Sequence, residues 1–172
     1  IGHSNHDADA FAALLARHEI ALVVDVRTVP RSRRHPHFAT EAMAAWLPGR
    51  GVAYRHAPGL GGWRHARRDS PNGGWENDSF RGYADYALTG EFAAALEELC
   101  ELARRQRTAV MCSEGLWWRC HRRLIADRLL VAGWEVRHIA PDGKVAPHEL
   151  TAFAVEQEDG TLLYPPPQAS LW

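Results

Sequence analysis

The segment Ile20-Ala-Leu-Val-Val-Asp-Val26 is the strongest indication of the fold class in this sequence. It is an apolar run rich in β-branched residues, which is typical of a strand that is covered on both faces. Strands of this kind pair in parallel, so we expect a parallel sheet. Asp25 and Arg27 then stand at the carboxyl end of this strand.

Helical and strand patterns alternate along the chain on both sides of this stretch. A helix with Ser4 or Asn5 as its cap comes first, and further helices are predicted near 40–47, 79–87, 90–106 and 119–132, the last one capped by Gly133. Strands are predicted at 1–2, 20–26, 52–57, 107–112 and 134–139. The alternation indicates a three-layer α/β/α sandwich with a mostly parallel sheet of about five strands.

A length of 172 residues suits one well-buried domain. We expect a single α/β domain over 1–172, in which 140–172 is a C-terminal appendage that contains a hairpin of 151–157 and 161–164. The three cysteines argue against a disulfide framework and for a reducing, cytoplasmic compartment. No apolar run approaches the roughly 20 residues that span a bilayer, so no membrane partner is expected.

Positive charge is concentrated in one part of a chain whose net charge is −1. Residues 27–69 contain nine arginines against Glu41 and Asp69. Arginine binds phosphate or carboxylate through paired N–H groups, and tryptophan stacks on planar rings. The expected partner is therefore an anionic small molecule or a nucleic acid, while the pattern indicates no particular cofactor or protein partner.

A second motif, Thr108-Ala-Val-Met-Cys-Ser-Glu114, reads as a strand that delivers a thiol and a carboxylate into a turn. The turn continues into Arg119-Cys-His-Arg122 at the start of a predicted helix, whose N-terminal end favours anions. Because ligands gather at the carboxyl ends of parallel strands, this turn and the Asp25 to Arg27 segment should share one cleft.

The candidate site residues follow from these two strand ends. The catalytic candidates are Cys112 as a nucleophile, Glu114 as a general acid or base, Asp25 and His121. The candidates for anion or substrate binding are Ser4, Asn5, Arg27, Arg31, Arg33, Arg119, Arg122, Trp63 and Trp117. Structural roles compete with these: a buried inert thiol for Cys112, an ion pair for Asp25, and a solvated surface for the arginines.

No metal-ligand set is predicted, because metal sites usually show denser clusters of ligands than this sequence contains. Zinc or iron held by Cys112, Cys120 and His121 stays open as an alternative. Cys120 is otherwise expected to be packed, and Cys100 to belong to the core.

Ordered motifs over about residues 1–140 connect the sequence to a known family. They are Ile1-Gly-His-Ser-Asn5, Val24-Asp-Val-Arg27, Pro30-Arg-Ser-Arg33, Leu60-Gly-Gly62, Phe80-Arg-Gly-Tyr-Ala-Asp-Tyr86, Met111-Cys-Ser-Glu114, Arg119-Cys-His-Arg122 and Gly133-Trp-Glu-Val136. Through them the sequence resembles the domain of unknown function 488 family, which implies no settled activity. Where that family usually has an acidic residue followed by proline, this sequence has Leu116 and Trp117.

A weaker likeness is to rhodanese-type sulfurtransferases and cysteine phosphatases, which place a nucleophilic cysteine after a strand in an anion-binding loop. Asp25-Val-Arg27 is similar to an upstream motif of the rhodaneses. The phosphatase pattern needs arginine six positions after the cysteine, where Trp118 stands here.

Two classes of function remain. The first is an enzyme that acts on a phosphate-bearing substrate, a nucleotide or nucleic acid, with Glu114 as acid or base. The alternative is a non-catalytic nucleic-acid-binding module that uses the arginine-rich rim. A sulfurtransferase-like or a metal-binding protein is a lesser alternative. The enzyme needs Cys112 and Glu114 in a cleft, whereas the module needs only an exposed positive face.

Overall fold

The computed structural model describes residues 1–31 and 33–167. In that part of the chain, five α-helices and seven short strands follow one another. They are α1 (Ala8–Arg17), β1 (Leu22–Asp25), α2 (Thr40–Trp46), β2 (Ala53–His56), α3 (Asp78–Tyr86), α4 (Gly90–Arg105), β3 (Thr108–Met111), α5 (Arg122–Val131), β4 (Arg137–Ile139), β5 (Val145–Pro147), β6 (Val155–Glu156) and β7 (Leu162–Leu163). The predicted α/β class is confirmed.

The central sheet is parallel and has the strand order β2-β1-β3. Asp25, the last residue of β1, lies opposite His56 on one side and Met111 on the other. All four residues of β1 are buried. The apolar run at 20–26 therefore forms the middle strand, and its lack of alternation reflects burial on both faces.

Two hydrophobic clusters lie against this sheet, and successive strand residues alternate between them. Val23 packs with side chains of α1 and α2, including Phe11, Leu15 and Met43. Leu22 and Val24 pack instead with side chains of α3, α4 and α5, among them Tyr83, Phe92 and Leu124. The sheet is thereby held in place with the carboxyl ends of β1 and β3 side by side.

The predicted sheet of about five strands within a three-layer sandwich is not confirmed. Gly2 makes only an isolated parallel bridge, with Cys112. The strand expected at 134–139 forms β4, which pairs antiparallel with β5 in a separate ladder. A tight turn at Gly143 brings β5 back against β4; its φ of 82° lies in the left-handed region that favours glycine, and its N–H donates to the Ala140 carbonyl.

The C-terminal segment forms the predicted hairpin, because β6 and β7 pair antiparallel. Leu162 and Tyr164 are buried in the same cluster as Leu22 and Val24. The Tyr164 hydroxyl donates a hydrogen bond of 2.9 Å to Asp127 of α5. Residues 168–172 of the predicted appendage lie outside the described residues.

The two helices next to the site begin later than predicted. The N-cap of α1 is Asp7, whose carboxylate accepts from the Ala10 N–H, rather than Ser4 or Asn5. Residues 3 and 4 instead pair with the segment after β3, where the Ser4 N–H donates to the Ser113 carbonyl, and the helix begins after this contact.

The helix predicted at 119–132 begins only at Arg122, after a single 3-10 turn at Trp117–Arg119. Cys120 and His121 consequently lie in the connection before α5. Gly133 has a φ of 85° just after the helix, which confirms its predicted role at the C-terminal cap. None of the helices in the described residues has the length and apolar character required to cross a bilayer.

Candidate active site

A pocket of about 810 Å³ opens at the carboxyl ends of β1 and β3. It brings together many of the predicted site residues: Ser4, Asn5, Arg27, Arg31, Trp63, Cys112, Glu114, Arg119 and His121. The two strand-end motifs therefore share one cavity, as the parallel sheet requires. His3, His35 and Cys120 also line it.

Asp25 does not line the pocket but lies behind it, with no exposed surface. Its carboxylate accepts hydrogen bonds from Arg27 Nε at 2.9 Å and Nη2 at 2.6 Å, and from the Tyr54 hydroxyl at 2.8 Å. Burial and the nearby Asp25 charge raise the pKa of Tyr54, so this hydroxyl stays a donor. Asp25 thus holds Arg27 in place and neutralises its charge.

His3 forms part of the pocket wall and was missed as a site residue. Its Nε2 lies 3.3 Å from Arg27 Nη1, and its ring stacks on Phe38 at 4.1 Å. Burial, aided by the charge of Arg27, lowers the pKa of His3 to about 4. The imidazole is therefore neutral at pH 7 and its Nε2 accepts from Arg27. The sequence contains one indication that His3 belongs to the site, namely its position within the Ile1 to Asn5 motif.

The floor of the pocket is formed by Cys112, Cys120 and His121. One ligand atom of each lies within 4.8 Å of those of the others. His121 Nε2 lies 3.1 Å from the Val26 carbonyl oxygen. Because a carbonyl can only accept, Nε2 carries the ring proton, and the lone pair of Nδ1 is directed into the pocket floor, 3.6 Å from Cys120 Sγ.

The two thiols of the floor have different acidities. Contact with Cys120, together with burial, raises the pKa of Cys112. The same contact, together with the charge of Arg122, lowers the pKa of Cys120. Arg122 Nε donates to Cys120 Sγ at 3.3 Å. The surroundings thus favour the thiolate of Cys120, which the sequence assigned to packing, over that of the predicted nucleophile Cys112.

The turn that carries Glu114 is fixed by the backbone of the N-terminal segment. The His3 N–H donates to the Cys112 carbonyl at 2.9 Å. Arg122 Nη2 donates to the Glu114 carbonyl. Gly2 passes so close to this turn that a Cβ at its position would lie 1.9 Å from the Glu114 oxygen. The Glu114 side chain itself is exposed on the pocket wall.

Three charged side chains at the mouth of the pocket have no partner among the described residues. Within 1–31 and 33–167, the side chains of Arg31, Arg119 and Glu114 make no hydrogen bond or ion pair, and all three residues are exposed. Some arginines elsewhere on the surface are paired, as in the contacts of Arg55 with Glu98 and of Arg67 with Asp69. The pocket mouth therefore presents two cations and one carboxylate to whatever enters it.

Three more predicted residues lie outside the pocket. Arg33 is exposed beyond its rim. Arg122 is buried and lines a second cavity of about 420 Å³ on the β3 and β4 side. Trp117 stacks flat on His138 at 3.9 Å, so its ring is occupied by the protein itself.

Among the comparisons with known proteins, only the one with protein families gives a match. Neither the curated proteins nor the solved structures provide a match. The profile of the family described as domain of unknown function DUF488 matches residues 7–129, which include β1, β3, the Glu114 turn and most of α5. The chain therefore belongs to the DUF488 family.

Proposed function

We propose that the protein is an enzyme that acts on a phosphate-bearing substrate, a nucleotide or nucleic acid, in the pocket at the ends of β1 and β3. The proposal rests on the charged side chains at the pocket mouth that have no partner among the described residues. Arg31 and Arg119 are free to bind phosphate oxygens, and Glu114 lines the same pocket.

The roles follow from what each side chain already contacts. Arg27 is neutralised by Asp25, so it shapes the wall and contributes little net charge. Arg31 and Arg119 would supply the charge that holds the phosphate. Glu114, whose carboxylate has no partner among the described residues, would take or give a proton as general acid or base.

The exposed indole of Trp63 favours a nucleotide over inorganic phosphate. Trp63 is 78% exposed and lines the pocket. Its backbone N–H donates to Thr28 Oγ1 at 3.3 Å, which holds the loop of Trp63 beside the end of β1. A base could stack on this indole while its phosphate contacts the arginines; such stacking contributes about 1–3 kcal/mol per base.

Two measurements on one panel test the proposal: inorganic phosphate, AMP, a short single-stranded DNA and bis(p-nitrophenyl) phosphate. We expect AMP or the oligonucleotide to raise the melting temperature, since a ligand at 100 times its Kd adds about 2.7 kcal/mol to stability. We also expect turnover of at least one phosphoester. A panel that neither binds nor reacts would overturn the proposal.

A second candidate is a nucleic-acid-binding module without chemistry. Exposed Arg33, Arg34 and Trp118 lie outside the pocket, and Trp118 is 49% exposed. A module would use this wider surface together with the rim, and its affinity would fall steeply with salt. Salt-sensitive binding of the oligonucleotide, unaffected by Glu114→Gln and without turnover of any panel member, would favour it.

A further inference from the structure

We propose that Cys112, Cys120 and His121 bind a zinc ion at the floor of the pocket. The three residues reach this point from different parts of the fold, because Cys112 follows β3 while Cys120 and His121 lie in the connection before α5. Their ligand atoms nevertheless lie within 4.8 Å of one another. Two sulfurs and one imidazole nitrogen form a donor set that binds zinc in preference to magnesium or calcium.

The spacing of the ligand atoms suits tetrahedral coordination. With Zn–S of about 2.3 Å and Zn–N of about 2.0–2.1 Å, a tetrahedral ion separates sulfur from nitrogen by about 3.6 Å and sulfur from sulfur by about 3.8 Å. Cys120 Sγ and His121 Nδ1 are 3.6 Å apart. Since every pair lies within 4.8 Å, no distance between ligand atoms has to shorten by more than about 1.2 Å.

The histidine already has the tautomer that a metal needs. Its Nε2–H donates to the Val26 carbonyl oxygen at 3.1 Å, so the unprotonated Nδ1 faces Cys120 Sγ and can bind an ion that replaces the thiol proton. The Tyr83 ring packs against the imidazole at 5.0 Å, and Gly62 lies so close that a Cβ there would be 2.4 Å from Nδ1. These contacts fix the direction in which Nδ1 points.

An outer hydrogen bond also supports the sulfur ligands. Arg122 Nε donates to Cys120 Sγ at 3.3 Å, a contact that suits a sulfur carrying negative charge. The Arg122 guanidinium further donates to the Glu114 carbonyl, so one buried side chain links the ligand to the turn above it. Such partners beyond the ligands are a common feature of metal sites.

Binding would exchange protons for metal in a balanced step. The ion displaces no proton from His121, whose Nδ1 carries none. Zinc and two neutral thiols give the complex and two released protons, whereas one proton, that of Cys112, is released when Cys120 is already a thiolate. Three protein ligands leave the fourth tetrahedral position for water or a substrate atom from the pocket. The inference rests on the ligand geometry and does not depend on the proposed function.

Metal analysis of the full chain without an affinity tag tests the site. Protein incubated with zinc and passed through a desalting column should hold about one ion per chain. Cys112→Ser, Cys120→Ser and His121→Gln should each lose this ion, since removing a ligand should cost more than the roughly 10- to 100-fold that loss of an outer partner costs. The matched control is Cys100→Ala, because Cys100 is buried in α4 and belongs to no ligand group; it should bind zinc like wild type.

A second measurement avoids ligand variants that fail to fold. Cys100→Ala protein retains only Cys112 and Cys120, and zinc should protect both from alkylation by iodoacetamide, counted by mass spectrometry. A chelator should restore their reactivity. Cobalt in place of zinc should show thiolate-to-metal charge-transfer absorption. The proposal is overturned if the folded Cys100→Ala protein retains no zinc, or if zinc leaves both alkylation rates unchanged.

Discussion

Asp25 and Arg27 form a buried ion pair at the carboxyl end of the central strand. Arg27 Nη2 lies 2.6 Å from Asp25 Oδ2, and the two side chains are 8% and 0% exposed. Arg27 also donates to the Phe38 carbonyl at 2.6 Å, so the pair joins β1 to the segment before α2. The pair thereby stabilises the part of the pocket wall that Arg27 forms.

Asp25→Ala should destabilise the protein by about 3–5 kcal/mol, because it leaves the Arg27 guanidinium buried without its counter-charge. Urea unfolding monitored by circular dichroism measures the change. The matched control is Glu98→Ala, which breaks the exposed pair with Arg55 and should cost less than about 1 kcal/mol. Equal losses in the two variants would show that burial of the Asp25 pair has no energetic consequence.

Arg31→Ala and Arg119→Ala should each weaken binding of AMP by roughly tenfold or more, since a hydrogen bond to a charged group contributes about 1.5–3 kcal/mol. Isothermal titration calorimetry at fixed salt gives the Kd. Arg55→Ala serves as the control, because it removes an arginine that pairs with Glu98 and does not line the pocket. The same loss of affinity in all three variants would indicate a general charge effect.

His138 should make the protein less stable in mild acid. Burial, with the neighbouring His148, lowers the pKa of His138 to about 3, below its ordinary value of 6.5. Between these values the unfolded chain binds a proton that the folded protein excludes, so stability is full above pH 6.5 and falls toward pH 3. His138→Gln should give a shallower fall in the urea midpoint between pH 6.5 and 4.5. An unchanged slope would assign the acid sensitivity to other groups, such as His3.

Gly2→Ala should destabilise the Glu114 turn, because a Cβ at Gly2 would overlap the Glu114 carbonyl oxygen at 1.9 Å. We expect a loss of about 1–3 kcal/mol from this overpacking. Gly49→Ala is the matched control, because nothing lies within 4 Å of a Cβ at Gly49. Thermal melts of both variants measure the difference. Equal melting temperatures would contradict the close approach of Gly2 to the Glu114 carbonyl oxygen.

The sequence was sufficient to predict what depends on local pattern. The uninterrupted apolar run at 20–26 predicted a strand buried on both faces, and this strand is the middle one. A parallel sheet then placed the ends of β1 and β3 at one edge, so Arg27 and Cys112 share a pocket.

What the sequence did not predict depends on tertiary contacts. The separate β4 and β5 ladder depends on the turn at Gly143, which brings the two strands together. Local periodicity does not reveal this pairing. His121 was predicted as a site residue, whereas Cys120 was expected to be packed; Cys120 lines the pocket because α5 begins at Arg122 rather than at 119. A shift of three residues in a helix start is within the usual uncertainty of capping signals, yet it moves two side chains from a helix surface to the pocket floor.

Glu114→Gln should separate chemistry from binding. Glutamine keeps the size and most of the hydrogen-bonding capacity of the side chain but cannot exchange a proton at neutral pH, so turnover of the responsive phosphoester should fall by roughly 100-fold or more. The Kd for a non-reacting analogue should stay level or improve, because removing a negative charge from the pocket that Arg31 and Arg119 line favours an anion. Kinetics and calorimetry on the same preparation measure both quantities, with Glu98→Gln as a surface control that should change neither. Turnover at the wild-type rate in Glu114→Gln would remove this carboxylate from the mechanism and leave the floor of the pocket as the place where the chemistry must occur.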